Sequence, residues 1–246
     1  MRVAVALFLS LIATPALAQN RFPPDSVVNL KVLPKTMAPR EVVNLMRGIT
    51  MATGLRCSGC HVGEEGQPLT SYDFASDERR GKQVAREMMR MTQAINEQTI
   101  ARLPDRPDSS LQVTCATCHR GVSRPVPLER IIVQAVVSSG ADSAVRAYRV
   151  LRETYYGRAA YDFSEGTLVT AAQELSQQRR FDEALALLDL DNEFYPTGAN
   201  LMLATGDVFR AKGDTASAVK SYREALTRNP RSQPARQRLT QLGQQP

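Results

Sequence analysis

Apolar residues at helical spacing organise the first half of the chain into two helices, each leading toward a cysteine-containing turn. Val42, Val43, Met46, Ile49 and Thr53 fall on one face of a predicted helix. Pro39 suits its first turn, and Gly54 suits the left-handed residue that ends it. Val84, Met88, Met91, Ile95 and Thr99 mark one face of a second helix. This helix is expected to start after Ser76, with Asp77 and Glu78 in its first turn, and to stop before Pro104. A polar loop, Pro104 to Ser110, follows. Past Pro125-Val126-Pro127 the pattern changes. Leu168, Ala172, Leu175, Ala184, Leu188 and Pro196 are matched 34 residues later by Met202, Gly206, Phe209, Ala218, Tyr222 and Pro230. Small residues alternate with large ones, as they do where paired helices touch. Leu128 to Tyr156 reads as a looser pair of the same kind, and Ser232 to Leu242 as a polar closing helix. The fold class expected is all-α.

The two turns that follow the first-half helices carry the chemistry. They are Cys57-Ser58-Gly59-Cys60-His61 and Cys115-Ala116-Thr117-Cys118-His119, and they contain all four cysteines and both histidines of the chain. Cys-x-x-Cys-His is the attachment pattern of c-type haem. The two thiols reach the vinyl groups along one edge of the macrocycle, and the next residue supplies an axial imidazole. Cys57, Cys60, Cys115 and Cys118 are thus the expected attachment residues, and His61 and His119 the expected axial ligands, of two covalently bound haem c groups. A disulfide within each pair would leave the histidines unexplained. A zinc site would have to pool both motifs. A thioredoxin-like pair would need a βαβ setting, and the flanks here are helical.

Haem attachment fits an exported protein, and the N-terminus has that form. Arg2 precedes an apolar run from Val3 to Ile12 and then Pro15-Ala16-Leu17-Ala18, which reads as a signal peptide cut after Ala18. The run is too short to span a bilayer. No other segment is long and apolar enough, and no cysteine follows the cleavage site to take a lipid. The mature chain is expected to be soluble and periplasmic.

Composition separates the halves. From Gln19 to Pro127 the only aromatics are Phe22, Tyr72 and Phe74, a thin supply for a conventional core. Two haems would provide the missing apolar bulk, so this half is expected to fold poorly without them. It carries 15 Lys+Arg against 11 Asp+Glu, and about four haem propionates would offset that excess. The basic balance therefore does not call for nucleic acid. The second half is nearly balanced and holds most of the aromatics.

With no histidine to spare, the sixth ligand of each iron is expected to be methionine. Met37, Met46, Met51, Met88, Met89 and Met91 are the first-half candidates. Methionine in an apolar helix stripe more often packs than ligates. Met46 lies mid-helix on the apolar face, with Met51 on another side and Met89 on a flank. Met88 and Met91 share a face, and spacing does not choose between them.

Phe74-Ala75-Ser76-Asp77, the helix Val84 to Asn96 with its Met88-Met89-Arg90-Met91-Thr92 run, and Val113 to Gly121 together resemble the tetrahaem cytochrome subunit of photosynthetic reaction centres. The resemblance covers roughly Lys31 to Pro127 and the first haem pair of that family. There, each unit is a helix with an axial Met, a turn and Cys-x-x-Cys-His. The resemblance implies Met88 for the second haem, as the first Met of a Met-x-x-Met-Thr run, and Met46 for the first. Two haem sites of the family are missing. Arg102 stands where family members carry a histidine for a distant haem, and nothing resembles a photosystem-docking half. The haem architecture and electron transfer carry over; the photosynthetic role does not.

The 34-residue pattern resembles tetratricopeptide repeats, arrays that present a concave surface to a partner. The expected organisation is a signal peptide over 1–18, a dihaem cytochrome c domain over 19–127 and a repeat domain over 128–246. The expected function is a periplasmic dihaem c-type cytochrome, not an enzyme, that passes electrons between redox protein partners docked through its repeat half. Two rivals remain: a dihaem peroxidase-type enzyme, which would need an iron with an open site, and a haem-stabilised adaptor.

Overall fold

A computed structural model of the chain describes residues 22–104 and 111–246. The expected signal segment and residues 105–110 of the expected polar loop lie outside the described residues. The fold is all-α: among the described residues the only β feature is an isolated antiparallel bridge between Val62 and Asp73. The chain divides into two compact units, Met1–Thr117 and Cys118–Pro246, and the division falls inside the second Cys-x-x-Cys-His turn.

The first unit is built on α1 (Pro39–Thr53) and α2 (Arg80–Ala94). Helix α1 begins at its proline, and the Glu41 carboxylate accepts the Ala38 N–H, satisfying a donor that the helix start leaves unpaired. It ends at Gly54, whose φ of 69° places it in the left-handed region that glycine tolerates best. The haem-motif turn Cys57–Gly59 follows at once, as a short 3₁₀ segment.

Helix α2 starts three residues later than its acidic residues predict. Asp77 and Glu78 do not sit in its first turn, because stronger local bonds hold the chain before Arg80 out of helical form. The Asp73 carboxylate accepts the N–H groups of Ala75 and Ser76. Lys82 Nζ donates to the carbonyls of Phe74, Ala75 and Ser76. Side chains that compete for backbone groups in this way favour turns over helix. The helical path then runs beyond Ala94 through a π-helical turn, Ile95–Thr99, and a 3₁₀ turn, Ile100–Arg102. From this turn Asn96 pins the approach to the second motif: its Nδ2 donates to the Val113 carbonyl at 2.8 Å and its Oδ1 accepts the Val113 N–H at 2.7 Å. The short helix α3 (Cys115–His119) carries the second motif.

The second unit continues with α4 (Leu128–Ser139) and α5 (Ala141–Tyr155), then α6 (Glu165–Gln177) and α7 (Phe181–Phe194), α8 (Ala199–Lys212) and α9 (Thr215–Arg228), and α10 (Gln233–Gln241). The helices pair in sequence, turning at Gly140 and Gly213, both with positive φ. Ile132, Val136, Ala144, Tyr148, Leu168, Ala172, Leu175, Ala184 and Leu187 have no exposed surface and form one continuous core. The small positions have the reason their pattern suggested. A Cβ added at Gly206 would stand 2.4 Å from the Tyr222 ring, so α8 and α9 approach this closely only because residue 206 is glycine. Ser232 caps α10 by accepting the Ala235 N–H.

Candidate haem sites

The first motif opens onto a cavity of about 380 Å³ lined mainly by apolar groups. Cys57, Cys60 and His61 form part of its wall, and Met46 of α1 lines the same cavity. The segment from Val27 to Leu33 contributes another wall. From α2 come Lys82, Ala85, Arg86 and Met89, spaced so that they share one face. Met89, read from spacing as a flanking residue, therefore faces this cavity. Val84, Met88 and Met91 lie on a different side of α2 and are 46%, 38% and 44% exposed. Met51 is exposed as well, well apart in character from the half-buried Met46.

Helix α2 comes so close to the first motif that residue 81 must lack a side chain: a Cβ there would lie 2.2 Å from the Gly59 carbonyl oxygen. A backbone oxygen cannot swing aside as a side chain would, so Gly81 fixes how near the helix lies to the turn. The three aromatics of this unit among the described residues gather beside His61. Phe74 meets the imidazole edge-on with ring centroids 4.9 Å apart, and Tyr72 and Phe22 pack on Phe74. Burial lowers the imidazole pKa, and the nearby Lys82 and Arg86 charges push the same way, against weaker pulls from Asp73 and the Phe74 backbone. The neutral ring is the form that binds a metal. His61 Nδ1 is buried and makes no bond of hydrogen-bonding geometry. Burial and the adjoining Cys57 raise the pKa of the Cys60 thiol.

Around this cavity stand residues that periodicity did not reveal. Asp77 collects Asn29 Nδ2 at 2.8 Å, Lys31 Nζ at 2.6 Å and Arg86 Nη1 at 2.8 Å, with Lys82 Nζ at 3.3 Å. These partners, led by Lys31, hold its carboxyl far below the usual carboxylate range. Arg86 also donates from Nη2 to the Asn29 carbonyl. The knot ties the Val27–Leu33 segment to α2 across more than forty residues of chain. A lone Asn and Lys in an irregular segment give no periodic signal, so only the fold exposes their role.

In the second motif, α3 starts with Thr114 N–H donating to Thr117 Oγ1 at 3.0 Å. The His119 ring pairs its Nδ1 with the Val122 carbonyl at 2.9 Å. With Nδ1 as the donor, Nε2 is the nitrogen left to ligate, and the bond fixes the ring plane. None of the four cysteines is paired in a disulfide. Among the described residues no three His, Cys, Asp or Glu side chains converge as a metal cluster would need.

The residues of the first site fit a haem on their own chemistry. Two thiols and an imidazole stand on one wall, the Met46 and Met89 thioethers line the same space, the lining is largely apolar, and basic side chains outnumber the single acid, Asp73. An all-helical chain with two such turns belongs to the c-type cytochromes, haem proteins of the electron-transfer kind. The family model of the photosynthetic reaction centre cytochrome C subunit matches residues 13–152, more than half of the chain, and the protein belongs to that family. It is also similar to the ancillary SecYEG translocon subunit of Neisseria gonorrhoeae (strain ATCC 700825 / FA 1090), 32% identical over 116 residues, covering 39% of this chain and 54% of the relative. The chain thus spans about half the length of the curated relative it matches. No helix among the described residues is long and apolar enough to cross a membrane.

Proposed function

We propose that the protein is a periplasmic dihaem electron carrier. Cys57 and Cys60 attach the first haem, with His61 and Met46 as its axial ligands. Cys115 and Cys118 attach the second, with His119 and Met88. Bound haem supplies one-electron chemistry, and the chain supplies ligands, a dry pocket and charge. The observation that carries this reading is that Met46 lines the cavity whose wall is Cys57, Cys60 and His61. Methionine as the second protein ligand would raise the potential relative to a second histidine.

Helix α2 supports a relay. Lys82, Ala85, Arg86 and Met89 serve the first cavity, while Met88 and Met91 present thioethers on another side of the same helix. The paired helices from Leu128 onward are tetratricopeptide-like repeats that dock a redox protein partner.

Specific observations favour one further reading. The second unit has a full core of its own, and a relative is named as an ancillary translocon subunit, which suits an adaptor in which haem is structural. An optical redox titration of the mature protein separates the two. The carrier shows reversible one-electron transitions, and Met46→Ala and Met88→Ala each turn one haem high-spin or bring in a new ligand, with a fall in its potential. If neither substitution alters the spectrum, the ligand assignment fails. If Met91→Ala acts and Met88→Ala does not, the second ligand is Met91. Haems that cannot be reduced reversibly would leave the adaptor.

A further inference from the structure

Resting on the first haem site assigned above, we propose that Arg86 is the positioning residue that receives the first haem's propionate charge and raises its potential, with Lys82 and Lys31 as supporting cations and Asp77 as the counter-charge that sets the balance. Arg86 is 8% exposed yet charged, and it lines an apolar cavity. A buried guanidinium is tolerated only where acceptors meet it. Its known bonds, to Asp77 and to the Asn29 carbonyl, use two of its five N–H donors. A planar guanidinium with donors to spare is suited to a second carboxylate, because the fork geometry matches both oxygens.

The local charge does not cancel without such an anion. Lys31, Lys82 and Arg86 share the one carboxylate of Asp77. All three cations line the cavity, whereas Asp77 is not part of its lining. The acid that does line it, Asp73, is occupied by the backbone N–H groups of Ala75 and Ser76. Lys82 spends its ammonium on three carbonyls and serves as a fixed charge rather than a hydrogen-bonding hand. A net positive wall favours the reduced iron, which carries one positive charge fewer, and in a poorly solvated site the effect is weakly screened.

The test is redox titration of the mature holoprotein, with haem number read by intact mass. The component lost in the Cys57→Ser/Cys60→Ser protein identifies the first haem. Arg86→Gln should move that component's reduction equilibrium at least tenfold toward the oxidised form, about 59 mV for one electron, with the other component unmoved. Arg86→Lys should restore most of the shift. Asp77→Asn keeps an acceptor but removes the opposing charge, so it should move the same component the other way. Opposite signs cannot come from general loosening of the site. If Arg86→Gln fails to mature, the Asp77→Asn result decides alone: a rise supports the assignment, and no change overturns it. Two haems with unmoved potentials in both variants overturn it while leaving the carrier reading intact. Absence of haem from the parent protein would defeat the carrier reading instead.

Discussion

In the unit from Cys118 onward, Ile132, Val136, Leu168, Leu175 and Leu187 lose all contact with solvent, and side chains from five successive helices share one core. In the unit before it, Val42 and Ala52 are the only buried apolar residues among the described residues, and each keeps a little exposed surface. Val84, Met88, Met91, Leu103 and Leu111 are exposed there. The polypeptide of the second unit closes on itself; that of the first is arranged around a cavity and an unpaired methionine face. An ordinary domain of that length buries far more of its own surface. The contrast is what covalent prosthetic groups would produce, since they add rigid apolar bulk that no residue count records.

The sharpest way to break this comparison is to remove a haem. The Cys57→Ser/Cys60→Ser protein should leave the first unit open to limited proteolysis near α1 and α2, while the second unit survives as a resistant fragment. Equal resistance of both units in that variant would show that the first unit has a sufficient core of its own.

Leu175→Ala tests the opposite side. It should destabilise the second unit by about 2–5 kcal/mol through lost burial and a residual cavity, measured by denaturant unfolding, with the spectrum of the first haem, held by Cys57, Cys60 and His61, unchanged. A comparable change in the haem spectra would mean that the two units do not fold separately.

A pH-dependent effect sharpens the picture of that core. Asp191 has no exposed surface and neither carboxylate oxygen has a hydrogen-bond partner. Burial, with Glu165 adding to it and Arg152 opposing, pushes its pKa up to about 7 from an ordinary 3.8. The folded protein therefore keeps a proton that the unfolded chain releases near its ordinary value. Its contribution is full below about pH 4 and is lost as pH rises through about 7. Asp191→Asn, neutral throughout, should remove that decline, so the difference in stability between variant and parent should grow from pH 4 to 7. A difference that stays flat would place the charged form in the folded state.

The same contrast explains what could be read in advance. The starts and stops of α1, the pairing of α6 with α7 and α8 with α9, and the close approach at Gly206 follow from periodicity and from where glycine and proline stand, because local geometry decides them. Both Cys-x-x-Cys-His turns are legible because one haem edge dictates their spacing. The late start of α2 was not legible, since Asp73, Lys82 and Asp77 reach backbone and side chains that helix propensity does not weigh. That Met89 faces the first cavity was not legible for a related reason: the direction a helix face takes depends on what packs against it, and here that is the first motif, through Gly81. The Asn29–Asp77–Arg86 knot joins residues up to 57 apart in sequence, where no short-range pattern exists.

The most direct measurement is the intact mass of the mature protein produced with cytochrome c maturation in place. The expected mass is that of the polypeptide plus two haem additions that persist under denaturing conditions, falling to one when the cysteines of either motif are replaced. A mass equal to the bare polypeptide, or additions unaffected by replacing Cys57 and Cys60, would contradict it.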